Sequence, residues 1–453
     1  MRSRIAPLPV SQGADNTAGA IALPGSWSAP RRRQTGDYAH RYALDQAAII
    51  FPSTLGRIQH HIYNFSVTLR EAVDADCLQR ALETMRLRFP TFLVRLKAGL
   101  CNYRLETLEH PPKIQQDIHG ILRPMTRREL AESCVRVQTA GQELSIDCFH
   151  AVSDGHGALT FIKTLLAAYL TEKHGIAIPA EKGVLHPDDS PRSGEMEDSY
   201  LSCNADGWNT GNLTSRAFKH RGTPVTGQAE TTLTMEASLL HRKAKELGVT
   251  VTQYVTGLLL LAGDSLRGEK APPVRIAVPV DLRSRFPSNT VRNFSLGCTV
   301  GLDGQHELLS VLGAVQEQLH AQCSAEALGG SVATVRRLSL VLKGCAPLLF
   351  MKNAVLKLGY SLFGSQSATM AVSNLGRCEL AEVMLPYVED IACRSDTNPV
   401  DTHSCTLLTF RDKAVIRLGR SIRESTLEDA FCALLSQEQL PFKRAEALFA
   451  FEA

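Results

Sequence analysis

Residues 144–155 read LSIDCFHAVSDG and combine an alternating strand pattern with a histidine and a glycine turn. Side chains in a strand alternate between two faces, so His150 would share one face with Leu144, Ile146 and Cys148. Because that face is apolar, we expect the imidazole to be desolvated and neutral near pH 7. A neutral imidazole is what a general base requires.

A carboxylate and a helix follow this histidine. Asp154 precedes the run GHG at 155–157, and the apolar period after it predicts a helix over about 158–170 that ends near Gly175. The amino end of that helix would direct its free N–H groups and its dipole towards the turn. Such an arrangement suits the activation of a hydroxyl or amine beside a developing oxyanion.

Other interpretations of the same residues stay open. A His-x-x-x-Asp-Gly pattern arises by chance in roughly one chain in twenty of this composition, and a lone histidine on an apolar face is more often a core residue. A metal site formed by His150, Asp154 and His156 is also compatible with the spacing. The geometry of a strand end and a turn would point the two histidines apart, which disfavours the metal site.

Residues 149–155, FHAVSDG, resemble the signature of the superfamily of condensation domains and alcohol acyltransferases. This superfamily includes plant-type BAHD acyltransferases, nonribosomal peptide condensation domains, polyketide-associated acyltransferases and bacterial alcohol O-acetyltransferase-like proteins. Many members carry two successive histidines, and here Phe149 occupies the first position and His150 the second, catalytic one. The plant-type Asp-Phe-Gly-Trp-Gly motif is absent, which argues against the plant branch.

A second segment, PVDLRSRF at 279–286, resembles the family segment whose arginine pairs with the motif aspartate. The resemblance implies that Arg283 holds Asp154 in a salt bridge, with Arg285 as the alternative partner. Asp154 and Gly155 would then support the site structurally and take no part in the chemistry. A solvated charge at a strand end is the other interpretation of Arg283.

A third segment, AVSNLG at 371–376, resembles the Ser-Asn-x-Gly strand of the alcohol acyltransferase branch. In related folds this strand lines the channel opposite the histidine. The resemblance makes Ser373, Asn374 and Gly376 candidates for the oxyanion site and the substrate channel. An ordinary strand-to-turn signal explains the run SNLG at 373–376 equally well.

Composition and periodicity divide the chain into a flexible arm at 1–36, a first acyltransferase subdomain at 37–180, a linker or crossover at 181–225 and a second subdomain at 226–453. Both subdomains mix helices and strands, which predicts an α/β or α+β fold. The resemblance implies two chloramphenicol-acetyltransferase-like subdomains that form a V with a central channel and the histidine midway.

The bulk composition restricts the class of protein. The 453 residues carry a net charge of +3 with acids and bases interleaved, which argues against a nucleic-acid partner. The 12 cysteines form no metal-type spacing, which is typical of buried thiols in a reducing compartment. The start has no apolar signal-type run and no stretch reaches about 18 apolar residues, so we expect a cytoplasmic soluble protein.

Residues 336–363 mix apolar and basic side chains and have two interpretations. They could contact a membrane peripherally or gate an acyl chain. Core helices whose lysines extend to solvent are the favoured interpretation.

The resemblance implies an acyltransferase of secondary metabolism that uses an acyl-CoA or a phosphopantetheine-linked acyl group, on a separate carrier protein, as the donor. The acceptor would be a small alcohol or amine, and neither a metal nor a tightly bound cofactor is expected. The sequence has no P-loop and no G-x-S-x-G nucleophile elbow. Two alternatives remain: a stand-alone condensation enzyme that forms an amide, and a non-catalytic binding relative.

Overall fold

The computed structural model describes residues 40–56, 59–116, 122–209, 216–302, 304, 306–364 and 366–449. The predicted arm at 1–36 lies outside the described residues. The strands are β1 Arg41–Ala43, β2 Ile62–Leu69, β3 Val94–Ala98, β4 Tyr103–Thr107, β5 Gln115–Gln116, β6 Val135–Ala140, β7 Glu143–Phe149, β8 Pro224–Glu236, β9 Arg275–Asp281, β10 Ser295–Gly301, β11 Met370–Cys378, β12 Val388–Ser395, β13 His403–Phe410, β14 Lys413–Ile422 and β15 Lys443–Phe449.

The α-helices are α1 Ile50–Thr54, α2 Ala75–Arg88, α3 Arg127–Glu132, α4 Gly155–His174, α5 Ser193–Met196, α6 Ser199–Ser202, α7 Ala237–Glu246, α8 Val251–Ser265, α9 Leu308–Gln322, α10 Ala325–Cys345, α11 Leu349–Gly359 and α12 Thr426–Gln437. A π-helical turn, Tyr360–Gly364, continues α11. The mixed α/β fold class predicted from the sequence is confirmed.

A five-stranded sheet in the order β12-β2-β7-β6-β5 organises the first half of the chain. Strand β2 has both of its faces buried, including the polar Asn64 and Ser66. The Asn64 amide donates to Asp147 Oδ1 at 2.8 Å and to Ser145 Oγ at 2.7 Å. Polar side chains that alternation alone would direct to water are therefore paired inside the fold.

A seven-stranded sheet in the order β10-β9-β11-β13-β14-β8-β15 organises the second half. Helices α8, α9 and α12 pack together beside this sheet and contribute to a second hydrophobic core. Strands β13 and β14 form a hairpin and pair antiparallel.

Strand β12 crosses from the second half of the chain to the first sheet. It lies late in the sequence, yet it pairs antiparallel with β2 and not with the second sheet. The first hydrophobic core consequently contains Ile391 and Cys393 from β12 together with Phe65 and Val67 from β2. The division at residues 181–225 remains a prediction. The parts of the chain before and after it are joined by the pairing of β12 with β2.

The helix after the histidine motif begins earlier than predicted. Helix α4 starts at Gly155, whereas the sequence predicted a start near residue 158, because the Asp154 side chain caps the helix by accepting from Gly157 N at 3.1 Å. His156 therefore lies on the first helical turn. The helix ends as predicted at Gly175, whose φ of 66° suits a glycine in the left-handed region.

The favoured interpretation of residues 336–363 as core helices is wrong for most of this segment. Leu338, Leu340, Val341, Phe350 and Leu358 are all exposed, as are further apolar side chains of α11. An apolar helix sequence indicates which side chains avoid water, but it does not determine that the fold provides a partner surface for them.

No single helix among the described residues has the length and apolarity to cross a bilayer. Helices α7 and α8 meet that criterion only as a pair bent by 82°.

Candidate active site

His150 lies directly after β7, at the junction between the two sheets. Its backbone N–H donates to His61 O at 2.9 Å, which fixes the main chain at the strand end. The imidazole is stacked on the Phe51 ring with 4.6 Å between centroids and lies edge-on to Tyr63 at 5.1 Å. Two aromatic rings thus hold the histidine in one orientation in a largely apolar setting.

A residue from the second half, Asn293, fixes the protonation pattern of this imidazole. Its Nδ2 donates to Asp45 Oδ2 at 3.2 Å and to His150 O at 3.0 Å. Asn293 Oδ1 therefore faces His150 Nδ1, at 3.2 Å, and can only accept. The geometry assigns the proton of the neutral ring to Nδ1, which leaves the Nε2 lone pair available. Nε2 has no hydrogen-bond partner among the described residues.

Asp45 holds the Asn293 side chain in place by accepting its Nδ2–H. It is fully buried, and its Oδ1 accepts from Ala48 N at 2.8 Å. Burial raises the pKa of Asp45 to about 6, and the nearby Arg292 guanidinium partly offsets that effect. The order of contacts is Asp45, Asn293 and His150, so the carboxylate reaches the imidazole only through an amide.

Burial lowers the pKa of His150 below its ordinary value of about 6.5. The ring is then neutral at neutral pH, and a reaction that needs its lone pair should run at full rate there. We expect kcat/KM to be level above pH 7 and to fall about tenfold per unit once the pH drops below the lowered pKa. A pH-rate profile with far-ultraviolet circular dichroism at each pH checks this.

The control for the pH profile is Asp45→Asn. Because Asp45 does not touch the imidazole, the acid limb should persist in this variant. A limb that disappears with Asp45→Asn would assign the titration to the carboxyl group, and a midpoint above pH 7 would contradict a desolvated histidine.

Asn293→Ala should lower kcat by roughly 10- to 100-fold and leave KM within a few-fold, because the imidazole remains but its tautomer and orientation are no longer fixed. Steady-state kinetics with thermal unfolding as a control measures this. Asn293→Gln keeps the amide but displaces it, and it should not restore kcat. An effect confined to KM would place Asn293 in substrate binding instead.

Asp154 is occupied by structural contacts on both carboxylate oxygens. Oδ2 accepts from Arg283 Nη1 at 2.9 Å and from Phe294 N at 2.8 Å. Oδ1 accepts from Gly157 N at 3.1 Å and from Arg283 Nη2 at 3.3 Å. The ion pair predicted between Arg283 and Asp154 is therefore present, and the alternative partner Arg285 is exposed. Asp154 has no hydrogen bond to His150 among the described residues.

Arg283 also organises the segment that carries Asn293. Its Nε donates to Thr290 O at 3.0 Å and its Nη2 donates to Arg292 O at 2.7 Å. The same guanidinium thus connects the motif aspartate with the backbone directly before Asn293. Desolvation opposes its charge, while Asp154 and Asp281 raise its pKa, so Arg283 stays charged.

The two motif glycines permit close approach of the second half. A Cβ at Gly157 would lie 2.0 Å from Val291 O, and one at Gly155 would lie 2.7 Å from Leu375 Cδ2. Backbone at Val291 cannot move without displacing the segment towards Asn293, so Gly157 is required sterically. Backbone thus approaches closely at Gly157, whereas Gly155 meets the Leu375 side chain.

Ser373 and Asn374 lie in the wall of the cavity that also contains His150. Asn374 is partly committed, because its Oδ1 accepts from Gly376 N at 2.8 Å and its Nδ2 donates to Thr252 Oγ1 at 2.9 Å. Gly376 has a φ of 70° at the register shift within β11 and does not line the cavity. The Ser373 hydroxyl has no partner among the described residues, so it is the freer donor.

The cavity has a volume of about 250 Å³ and lies between the two halves. Its lining joins His150 and Leu159 from the first half to Ser295, Ser373 and Leu375 from the second. Within the described residues, no group of three His, Cys, Asp or Glu could hold a metal ion. His156 Nδ1 faces Asp281 Oδ2 at 3.5 Å, and His156 does not join His150 and Asp154 in such a group of ligands.

Sequence patterns did not identify Asn293, Asp45, Phe51 or Tyr63. Asn293 is preceded by Arg292 and followed by Phe294, with no motif to distinguish it. Its position follows from the ion pair of Arg283, which draws the segment around residues 290–293 against the histidine. Only the spatial arrangement indicates its function.

Solved structures resemble this fold over most of its length. Polyketide synthase associated protein 5 from Mycobacterium tuberculosis matches with 16% identity and a TM-score of 0.59, over 86% of this chain and 96% of that one. F. graminearum TRI101, solved with coenzyme A and deoxynivalenol, matches with 12% identity and a TM-score of 0.59, over 90% and 100%.

The starter condensation domain of rhizomide synthetase, solved as a mutant with C8-CoA, matches with 11% identity and a TM-score of 0.57, over 88% of this chain and 94% of that one. No family model matches the sequence, and no curated protein matches it. The chain has the fold that these three solved structures share, as the resemblance of the motif implied.

Proposed function

We propose that this protein is an acyltransferase that moves an acyl group from a thioester to an alcohol or amine, with His150 as the general base. The observation that carries the proposal is the state of the His150 ring. Asn293 Oδ1 holds Nδ1–H, and Nε2 has no partner among the described residues in a cavity between the two halves. A fold whose solved examples include complexes with CoA and with C8-CoA supports the same chemistry.

The proposed reaction needs no covalent enzyme intermediate. His150 Nε2 takes the proton of the acceptor O–H or N–H as the acceptor attacks the thioester carbonyl carbon. The resulting tetrahedral oxyanion accepts a hydrogen bond from the Ser373 hydroxyl, in a site partly shielded from water. When the C–S bond breaks, the imidazolium returns its proton to the leaving thiolate, so that an ester or amide and a free thiol are released.

Asp154, Gly155 and Arg283 support this site without reacting. They fix the start of α4 and the segment that carries Asn293, and thus set the distance from His150 to the opposite wall. Asn374 lines that wall, and the Gly376 N–H orients it by donating to Asn374 Oδ1 from outside the wall. The donor is a small-molecule acyl-CoA or an acyl group on the phosphopantetheine of a separate carrier protein, since both present the same thioester.

The test is a product screen of the purified full-length chain. It is incubated with acyl-CoAs of graded chain length, with acyl-carrier-protein thioesters and with a set of alcohols and amines. Mass spectrometry should find an ester or amide that grows with time, matched by stoichiometric free thiol. Products from carrier-bound acyl groups alone would assign the donor to a carrier protein, and amides alone would assign a condensation enzyme. No thiol release with any donor would overturn the proposal.

A further inference from the structure

Helices α10 and α11 carry large apolar side chains that the described residues leave exposed. Of the exposed large apolar side chains, seven lie on this helix pair and its π-helical turn: Leu338, Leu340, Val341, Phe350, Val355, Leu358 and Leu362. Phe350 is 70% exposed and Leu358 is 62% exposed. We call these seven side chains the apolar face.

Helix α11 is inverted relative to an ordinary surface helix. Lys352 is buried, and its Nζ donates to Cys101 O at 2.9 Å and to Asn102 Oδ1 at 2.7 Å. Asn353 Nδ2 donates to Tyr103 OH at 3.1 Å. Lys352 and Asn353 thus fasten this helix to the protein, whereas Phe350, Val355 and Leu358 point away from it. Hydrogen bonds of this kind fix which face is outward.

The second half of α10 shows the same inversion. Ser339 is buried, and its Oγ has no partner within the described residues, while Leu338 and Leu340 on either side are exposed. Arg337 is directed away to Asp206, with 2.9 Å between Nη2 and Oδ1. An ordinary protein surface exposes large apolar side chains singly and scattered. Here two successive helices both expose several of them.

Within the segment that carries the apolar face, all charged side chains are basic. Residues 327–378 contain no Asp or Glu. Lys343 and Lys357 are exposed beside the apolar side chains and have no ion-pair partner among the described residues. A face with apolar side chains and unpaired lysines complements a surface that offers hydrocarbon and negative charge together.

We propose that the apolar face docks on an anionic lipid surface. Two copies of this face would bring their lysines together in a symmetric contact, which disfavours self-association. Six of the seven side chains are more than half exposed and stand out from the protein instead of lining a groove. They therefore suit insertion at a lipid interface better than the enclosure of a single acyl chain. This inference goes beyond the proposed function and does not depend on it.

The position of the apolar face gives such docking a consequence for access. Helix α11 packs on α1, whose Phe51 is stacked on His150. A second cavity of about 250 Å³ lies where Ile49 and Ser53 approach Lys343 and Leu349. A docked bilayer would therefore lie near a cavity on the side of the protein where α1 contacts the histidine.

The test is co-sedimentation of the full-length protein with vesicles. Vesicles of phosphatidylcholine and phosphatidylglycerol in equal parts should bind the protein, and phosphatidylcholine alone should bind it at least about fivefold more weakly, since each lysine near an anionic surface contributes about that factor. Phe350→Ser/Leu358→Ser should weaken binding on the order of a hundredfold, because two large side chains no longer leave water. Lys343→Gln/Lys357→Gln should weaken binding about tenfold or more.

Matched controls use the same substitutions elsewhere. Leu309→Ser/Leu448→Ser removes two apolar side chains that are 67% and 62% exposed on α9 and β15. Lys270→Gln/Lys413→Gln removes two exposed lysines, and both controls should bind vesicles as the unaltered protein does. Thermal unfolding of each variant verifies folding, and sedimentation velocity without lipid measures self-association.

Three outcomes would overturn the proposal. The unaltered protein could stay in the supernatant with both vesicle types, or the Phe350→Ser/Leu358→Ser variant could sediment with anionic vesicles as the unaltered protein does. A dimer that this variant abolishes, together with no vesicle binding, would assign the apolar face to a contact between two copies.

Discussion

His150→Ala is expected to lower kcat/KM for acyl transfer by about three orders of magnitude or more, since a positioned general base contributes roughly 10²- to 10⁴-fold. The loss should appear in kcat, because the imidazole Nε2 acts on the proton that moves as the acceptor attacks. Free-thiol release from the acyl-CoA and product mass spectrometry both measure the effect. Removal of a ring stacked on Phe51 also lowers stability somewhat, so the melting temperature is measured alongside.

Two further variants separate chemistry from structure at this position. His150→Gln keeps much of the side-chain volume and should be as inactive as His150→Ala. His241→Ala removes an exposed histidine on α7 and should leave kcat/KM unchanged. His156→Ala should retain most activity, because its ring is 55% exposed and directed to Asp281. Retained turnover in folded His150→Ala would exclude His150 as the base.

Arg283→Ala is expected to lower the free energy of unfolding by about 3–5 kcal/mol, because the buried Asp154 carboxylate loses its charged partner. Side chains of both residues are nearly inaccessible, at 7% and 5% exposure. Activity should fall as well, since the backbone carbonyls of Thr290 and Arg292 lose the donors that fix the segment before Asn293. Denaturant unfolding followed by circular dichroism measures the stability.

The chain offers a matched control for Arg283 two positions away. Arg285→Ala removes an exposed guanidinium from the same turn and should change the free energy of unfolding by less than about 0.5 kcal/mol. In the double variant Arg283→Leu/Asp154→Asn neither charge is left alone, so the loss should be smaller than the sum of the single losses. Additive losses would show that the two side chains are not coupled.

Local sequence patterns were sufficient to predict the strand before the histidine and the helix after it. The alternation at 144–150 predicted β7, and the glycine at 175 predicted the end of α4, because both signals act on neighbouring backbone. The pairing of Arg283 with Asp154 required the family resemblance, since the two residues lie 129 positions apart. Spacing alone carries no information on such a contact.

Asn293 and the inverted helix α11 show what the sequence could not provide. An asparagine in a segment without periodicity has the same local signal whether it faces solvent or a histidine. In α11, the pattern marked apolar and polar sides, and the assumption that the apolar side faces the core led to the wrong interpretation. The buried lysine at 352 could be assigned only from its partners at Cys101 and Asn102.

The crossing strand β12 has a consequence for synthesis on the ribosome. Arg394 in β12 donates to Ser66 in β2, 328 positions earlier in the chain. At about 5–20 residues per second, the apolar edge of β2 waits roughly 15–65 s for its partner strand to emerge. During that interval the first sheet has an open edge of the kind that promotes aggregation and recruits chaperones. His150 lies directly after β7, the strand next to β2, so the sheet beside it is complete only after β12 has been synthesised.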